Sequence, residues 1–169
     1  MSLADRLRST FLRIDARSLG LFRIAMGAAL IGDWVQRWTH LRAFYSNEGV
    51  LPNHAHLFNV LKQEQPRVWS VLHAFSTPGE NGFGLLLILL VYSFFLIGYK
   101  TRIFHVLSIV SLVSLTARNL LLEAPANDVA ITLLTATAFL PCGSRFSFDS
   151  LKASLRAKDE KDATALNDR

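Results

Sequence analysis

A chain of 169 residues is long enough for one domain, and this one is 51% hydrophobic and only 18% charged, with a net charge of +5. A mean hydropathy of +0.30 excludes an ordinary soluble domain. Cys142 is the only cysteine, which excludes an intrachain disulfide, a CxxC redox pair and a cysteine zinc site.

Residues 1–17 are a basic N-terminal segment carrying Arg6, Arg8, Arg13 and Arg17. Ser18 to Trp34, SLGLFRIAMGAALIGDW, reads as a first transmembrane helix over about residues 18–36, with Arg23 and Asp33 near its two ends. Arg23 interrupts the apolar stretch and no A-x-A site follows, so this is not a signal peptide. Ala25 and Ala29, and Ala28 and Gly32, have the small-xxx-small spacing that lets helices approach closely. A polar loop, LRAFYSNEGVLPNHAH, follows over residues 41–56. In it Asn47-Glu48-Gly49 predicts a turn in which Gly49 takes positive φ, and Leu51-Pro52 predicts an extended exit. Phe44 and Tyr45 are the expected anchors of this loop at the headgroup level.

The stretch QPRVWSVLHAF sets Val68, Val71, Leu72 and Phe75 on one helical face, with Pro66 in the first turn and Trp69 alongside. It predicts an amphipathic helix lying in the membrane interface, ended by STPGENG. No residue from Asn81 to Tyr99 is charged, and about 20 helical residues cross a hydrocarbon core, so a span over 82–99 follows. IFHVLSIVSLVSLTA and DVAITLLTATAFLPCGS give further spans over about 103–118 and 128–144, each suited to packing on neighbours with one face in lipid. Residues 152–169 form a polar tail. The expected fold class is all-α integral membrane: a four-transmembrane-helix bundle over residues 18–151, with an outer loop containing an amphipathic interfacial helix.

Lysine and arginine set the orientation. Four lie before the first span, two (Lys100 and Arg102) in the link YKTR and six from Arg145 onward, twelve in all; the other side has five, namely Arg37, Arg42, Lys62, Arg67 and Arg118. The positive-inside rule then puts both termini in the cytoplasm and the 41–56 loop outside, in the inner membrane if the source is bacterial. The same pattern, facing anionic lipid headgroups, explains the pI of about 9.8 without a nucleic-acid partner.

Polar groups at bilayer depth are costly and therefore mark candidate sites. Arg118 ends the third helix and Asp128 begins the fourth, so both sit at the outer level, where pairing lowers the cost of burying either charge. Asn119 belongs to the same link, and Asp33 and Arg37 reach the same level on the first helix. This cluster either clamps the bundle or binds a ligand beneath the loop. His105, one turn into the third helix, is a candidate contact for a haem or chlorin pigment, although a lone histidine is more often a packed core residue. His54 and His56 are too few to define a metal site. No metal or cofactor is required, while a bound lipid, quinone or pigment would fit. With no nucleophile–base pair and no glycine-rich phosphate loop, no catalytic residue is assigned.

SLGLFRIAMGAALIGDW, AFYSNEGVLP, GYKTR, LTARNLLL and FLPCGSRFSFDSL occur in the order seen in HTTM-domain membrane proteins, which the chain resembles from Ser18 to Leu151. These are relatives of the vitamin K-dependent gamma-carboxylases. The most specific pieces are F-Y-S-x-x-G-V-L-P, the step Arg118-Asn119 and the segment Phe146-Ser147-Phe148-Asp149. The resemblance implies that Phe44, Tyr45, Gly49 and Pro52 belong to a lid over the outer helix ends. It also implies where this chain departs. Carboxylases continue into further helices bearing a catalytic lysine, and none of those helices is here. They place a histidine after the asparagine at the start of the fourth helix, where this chain has Asp128 after Asn127. The resemblance therefore covers the N-terminal half of that fold and does not carry carboxylase activity.

Two functions are expected from different classes. The first is a non-catalytic membrane subunit, embedded in lipid, that docks with and stabilises a larger complex, respiratory or photosynthetic. The second is a membrane enzyme or quinone- or lipid-binding protein with a site under the outer loop.

Overall fold

The structure, a computed structural model, describes residues 16–50, 52, 58, 70–118, 124–140, 142–143 and 146–167. Asn119, His54, His56, residues 66–69 of the expected interfacial helix and the basic segment before residue 16 lie outside these. Helix α1 spans Ala16–Thr39, α2 is one turn over Leu41–Phe44, and a 3-10 turn covers Val71–Ala74. Then come α3 (Pro78–Ile97), α4 (Thr101–Arg118), α5 (Pro125–Thr137) and α6 (Phe148–Asn167). All regular structure among the described residues is helical. Arg17–Thr39, Pro78–Ile97 and Thr101–Arg118 are long and apolar enough to cross a membrane, which is the signature of an integral membrane protein.

Residues 41–50 lie at one end of the bundle, the loop end, and the tight link Gly98–Thr101 lies at the other, the turn end. Helix boundaries have local causes. At the start of α3 the Thr77 hydroxyl accepts from the Glu80 N–H (3.2 Å) and the Glu80 carboxylate accepts from the Thr77 N–H (3.1 Å), a capping box followed by Pro78. Its other end closes on Gly98, whose φ of 78° is left-handed and whose N–H reaches the Phe94 carbonyl at 2.9 Å.

The fourth apolar segment is shorter than the 128–144 expected. Pro125 starts it three residues earlier, and the α-helix has 13 residues, about 20 Å at 1.5 Å per residue. At its far end the N–H groups of Ala138 and Leu140 turn to carbonyls three residues back, at 3.3 and 3.0 Å. The step Leu140-Pro141 then disfavours helix, because a residue before proline is pushed out of the α region.

The core sits between α1, α3 and α4 and includes Leu30, Leu85, Phe95, Leu112 and Leu115, joined from α5 by Leu134. The Trp34 indole donates to the Leu85 carbonyl at 2.8 Å, so its polar edge is satisfied inside this core. The close approach of α1 to α3 falls at Gly27, where a Cβ would lie 2.9 Å from the Leu96 Cβ. The small residues Ala25, Ala28, Ala29 and Gly32, whose spacing lets helices approach closely, are exposed among the described residues, and nothing lies within 4 Å of a Cβ placed on Gly32.

The described part of the expected interfacial helix is not spread on a surface. Its 3-10 turn is inserted against α3 and α4, with Leu72 2% exposed. The Ser70 hydroxyl donates to the Ser114 carbonyl (2.7 Å), and the Val71 N–H donates to the Ser114 hydroxyl (2.8 Å). Gly84 of α3 makes the room, since a Cβ there would meet the Phe75 ring at 2.8 Å. Backbone groups in this insertion need partners, and the serine of α4 supplies them. A hydrophobic period of four residues does not distinguish such an insertion from a surface helix.

Candidate functional site

Two polar clusters lie at opposite ends of the apolar bundle. At the loop end, Asp33 and Arg37 are one turn apart on α1, and Arg37 Nε donates to Asp33 Oδ2 at 2.6 Å. Arg37 Nη1 donates to the Tyr45 hydroxyl at 2.7 Å. From the other side, Arg118 Nη2 at the end of α4 donates to the Tyr45 main-chain carbonyl at 3.0 Å. Tyr45 is 0% exposed, so it is a plug between two buried guanidinium groups and not the headgroup-level anchor expected. The reason is acceptor demand: buried N–H groups of arginine need oxygen, and Tyr45 offers one at each end. Burial pushes its phenol above the ordinary value, the Arg37 charge working to lower it, so Tyr45 stays neutral beside Arg37.

The loop carrying Tyr45 is closed on itself. The Val50 N–H reaches the Ala43 carbonyl (2.8 Å) and the Gly49 N–H the Ser46 carbonyl (3.1 Å), while the Asn47 N–H reaches Ser76 before α3 (3.3 Å). Gly49 is required, although not for positive φ: a Cβ there would lie 2.2 Å from the Ala43 carbonyl oxygen. Phe44 is half-buried against the core and Pro52 is half-buried. These contacts, with the bonds of Tyr45 to Arg37 and Arg118, hold the segment against the loop ends of α1 and α4.

Beside this segment, Asp33, Arg37 and His40 at the end of α1 and Ala124 and Asn127 at the start of α5 line a cleft of about 360 Å³. Arg118 is fully buried and Asp128 is exposed in the first turn of α5. Tyr92, fully buried in α3, has a hydroxyl with no hydrogen-bond partner among the described residues.

The turn end is a cluster that sequence reasoning assigned no role. Arg23, 0% exposed, donates from Nη2 to the Phe146 carbonyl (2.5 Å) and from Nη1 to the Cys142 carbonyl (3.4 Å). Asp149 caps α4: its carboxylate accepts from the N–H groups of Lys100 (3.0 Å) and Thr101 (2.9 Å) and from the Thr101 hydroxyl (3.0 Å). Burial works to raise the Asp149 carboxyl. The Thr101 and Lys100 N–H groups, the Thr101 hydroxyl and the Arg23 charge outweigh it and hold the carboxyl below the ordinary range. Lys100 and Phe146 both have positive φ, 40° and 53°, a backbone that only a web of contacts holds in place. GYKTR and FSFD, two of the segments that carry the family resemblance, thus meet in space. The pairing had a readable signal, an aspartate after a Ser-x step and a threonine at a helix start, but nothing local said that one capped the other across 48 residues.

His105 is 2% exposed, its Nε2 donates to the Leu134 carbonyl (2.9 Å), and its ring packs on Phe95 with centroids 5.0 Å apart. It ties α4 to α5, and a pigment ligated through Nε2 would break that tie.

No family model, no curated protein and no solved structure matches this chain.

Proposed function

We propose that this is a non-catalytic subunit of a larger membrane assembly, an HTTM-like half-fold that works by docking with other membrane proteins. The observation that carries the reading is a contrast between exposed faces. Those of α3 and α4 are bulky aliphatic, with Leu86, Leu87, Leu90, Ile103 and Val106. The exposed face of α1 is small only in its middle, at Ala25, Ala28, Ala29 and Gly32, between bulky Leu21 and Ile24 at one end and Val35 and Trp38 at the other. Lipid chains cover bulky side chains well, whereas small residues at membrane depth serve the close approach of another helix. Helix α5 supports the same reading: about 20 Å long, it packs on α4 through Leu134 and exposes Thr132 and Thr135 on its other side. Under this proposal the polypeptide crosses a bacterial inner membrane four times, α5 included, with both termini cytoplasmic and the lid outside.

Ala28→Leu tests it. Leucine inserts readily but overpacks a close helix contact. The variant should reach the membrane at wild-type levels and lose stoichiometric co-purification with its partner. Retention of the partner, or a wild-type protein that purifies from native membrane alone, would overturn the docking reading.

A further inference from the structure

We propose that the loop-end cleft between α1 and α5 binds a zwitterion carrying a phosphate and a primary ammonium, the chemistry of a phosphoethanolamine headgroup. This goes beyond docking and stands on the cleft itself. Arg37 is 6% exposed and lines the cleft. Its Nε and Nη1 are taken by Asp33 and Tyr45, while Nη2 donates to no described residue. A buried guanidinium with a spare N–H facing a cavity needs an acceptor there. Across the cleft stands the N-terminus of α5, whose N-cap Ala124 contributes no side-chain hydrogen bond to the helix. Asn127, 7% exposed, lines the same cleft, and its side chain has no partner among the described residues. The Asn127 side-chain amide and the Arg37 guanidinium converge on one space and make an oxyanion site; Pro125 has no N–H and the Asn127 N–H is spent on the Ala124 carbonyl, so the start of α5 adds its dipole and not a row of donors.

A simple anion does not suit this space. The Asp33 side chain is 31% exposed and lines the cleft with one carboxylate oxygen on Arg37 and the other unpartnered among the described residues. A ligand that brings its own cation satisfies Asp33 while its phosphate takes Arg37 Nη2 and Asn127. The cleft also lies where the apolar helices α1 and α4 end, the level of lipid headgroups in a membrane. An ammonium with three N–H donors fits a carboxylate acceptor, which a quaternary choline headgroup cannot do by hydrogen bonding.

The test uses the full chain, delipidated in mild detergent, with thermal shift and native mass spectrometry as readouts. Phosphatidylethanolamine should stay bound and raise the melting temperature. Phosphatidylglycerol and phosphatidylcholine should bind about tenfold or more weakly, each lacking one charge-assisted contact. Asn127→Asp places a negative charge against the phosphate yet suits a helix N-terminus, so the fold is kept while phosphatidylethanolamine binding falls about tenfold or more. Asn127→Leu serves the same purpose should the aspartate variant not fold. Asp33→Asn should erase the preference over phosphatidylglycerol. Free phosphoethanolamine competing with the lipid would identify a soluble ligand of the same chemistry, and failure to compete a membrane lipid. Equal binding of the three lipids, equal binding of inorganic phosphate, or undiminished binding by both Asn127 variants would overturn the proposal.

Discussion

Gly98 shows how much of the turn end depends on one missing side chain. It sits at φ 78°, and a Cβ there would lie 2.2 Å from Arg23 Nη1 and 2.6 Å from the Ser147 Cβ. Gly98→Ala combines left-handed strain of about 1–2 kcal/mol with displacement of a buried arginine from its carbonyls, so a clear loss of thermal stability in detergent is expected. Gly32→Ala is the control. It lies in a helix with nothing within 4 Å of the new Cβ, and alanine should be neutral or stabilising by up to about 1 kcal/mol. Equal melting temperatures for the two variants would mean that the Arg23–Gly98 contact does not matter. Asp149 adds a pH dependence. Its carboxyl is held below the ordinary range in the folded chain, so its stabilisation is present in full above the unfolded value, about 3.9. It is lost as pH falls through the lower folded value. The stability gap between wild type and Asp149→Asn should therefore be constant near neutrality and close only in strong acid. A gap that closed between pH 5 and 7 would assign it to another group.

At the scale of elements, the inserted 3-10 turn and the link from α4 to α5 are the places where single changes should be felt. Ser114→Ala removes the acceptor of the Val71 N–H and a hydroxyl partner of Ser70. Leaving a half-buried N–H without an acceptor costs about 1–3 kcal/mol, so the variant should melt lower, with Ser111→Ala, on the same helix, close to wild type. For the expected Arg118–Asp128 pair, each single alanine variant and the double form a cycle. Pairing predicts a coupling in which the double variant recovers part of the loss, since a lone buried charge costs about 3–5 kcal/mol; simple addition would show that the two residues do not interact. What was legible at this scale follows from range. The apolar runs of α1, α3 and α4 announce themselves because lipid-scale hydropathy is a local property, whereas STPGENG reads only as a breaker and its Thr77–Glu80 capping box is missed. The end of α5 at Thr137 was masked by apolar residues that run on past the helix. Arg37 and Arg118, expected near one another from their places at helix ends, both bond Tyr45. Arg23 received no partner, because the carbonyls it meets belong to residues 142 and 146, beyond any periodicity in the sequence.

For the whole molecule the question is how many times the chain crosses, and the two polar levels supply a ruler. Arg23 and Arg37 lie 14 residues apart on α1, roughly 21 Å of helix rise. Helix α5 begins beside Arg37, where Ala124 and Asn127 line the shared cleft, and the chain reaches the Arg23 level by Cys142 and Phe146. Its 13 helical residues, about 20 Å, therefore match the height between the levels even though they fall short of a full bilayer core. A crossing of that length needs thinning of the lipid or a neighbouring protein on its open side, and each fits a helix that shows threonine outward. Four crossings put both termini on one side; three put them on opposite sides. With Cys142 replaced by alanine, single cysteines at Ser2, Asn53 and Ser154 distinguish these topologies by labelling with a membrane-impermeant thiol reagent in intact cells. The expected pattern is reaction at Asn53 alone, in keeping with twelve basic residues on the termini side against five on the other. Reaction at both Asn53 and Ser154 would mean that α5 turns back within the bundle and that three helices span. Reaction at Ser2 and Ser154 but not at Asn53 would invert the orientation and move the headgroup cleft to the cytoplasmic leaflet.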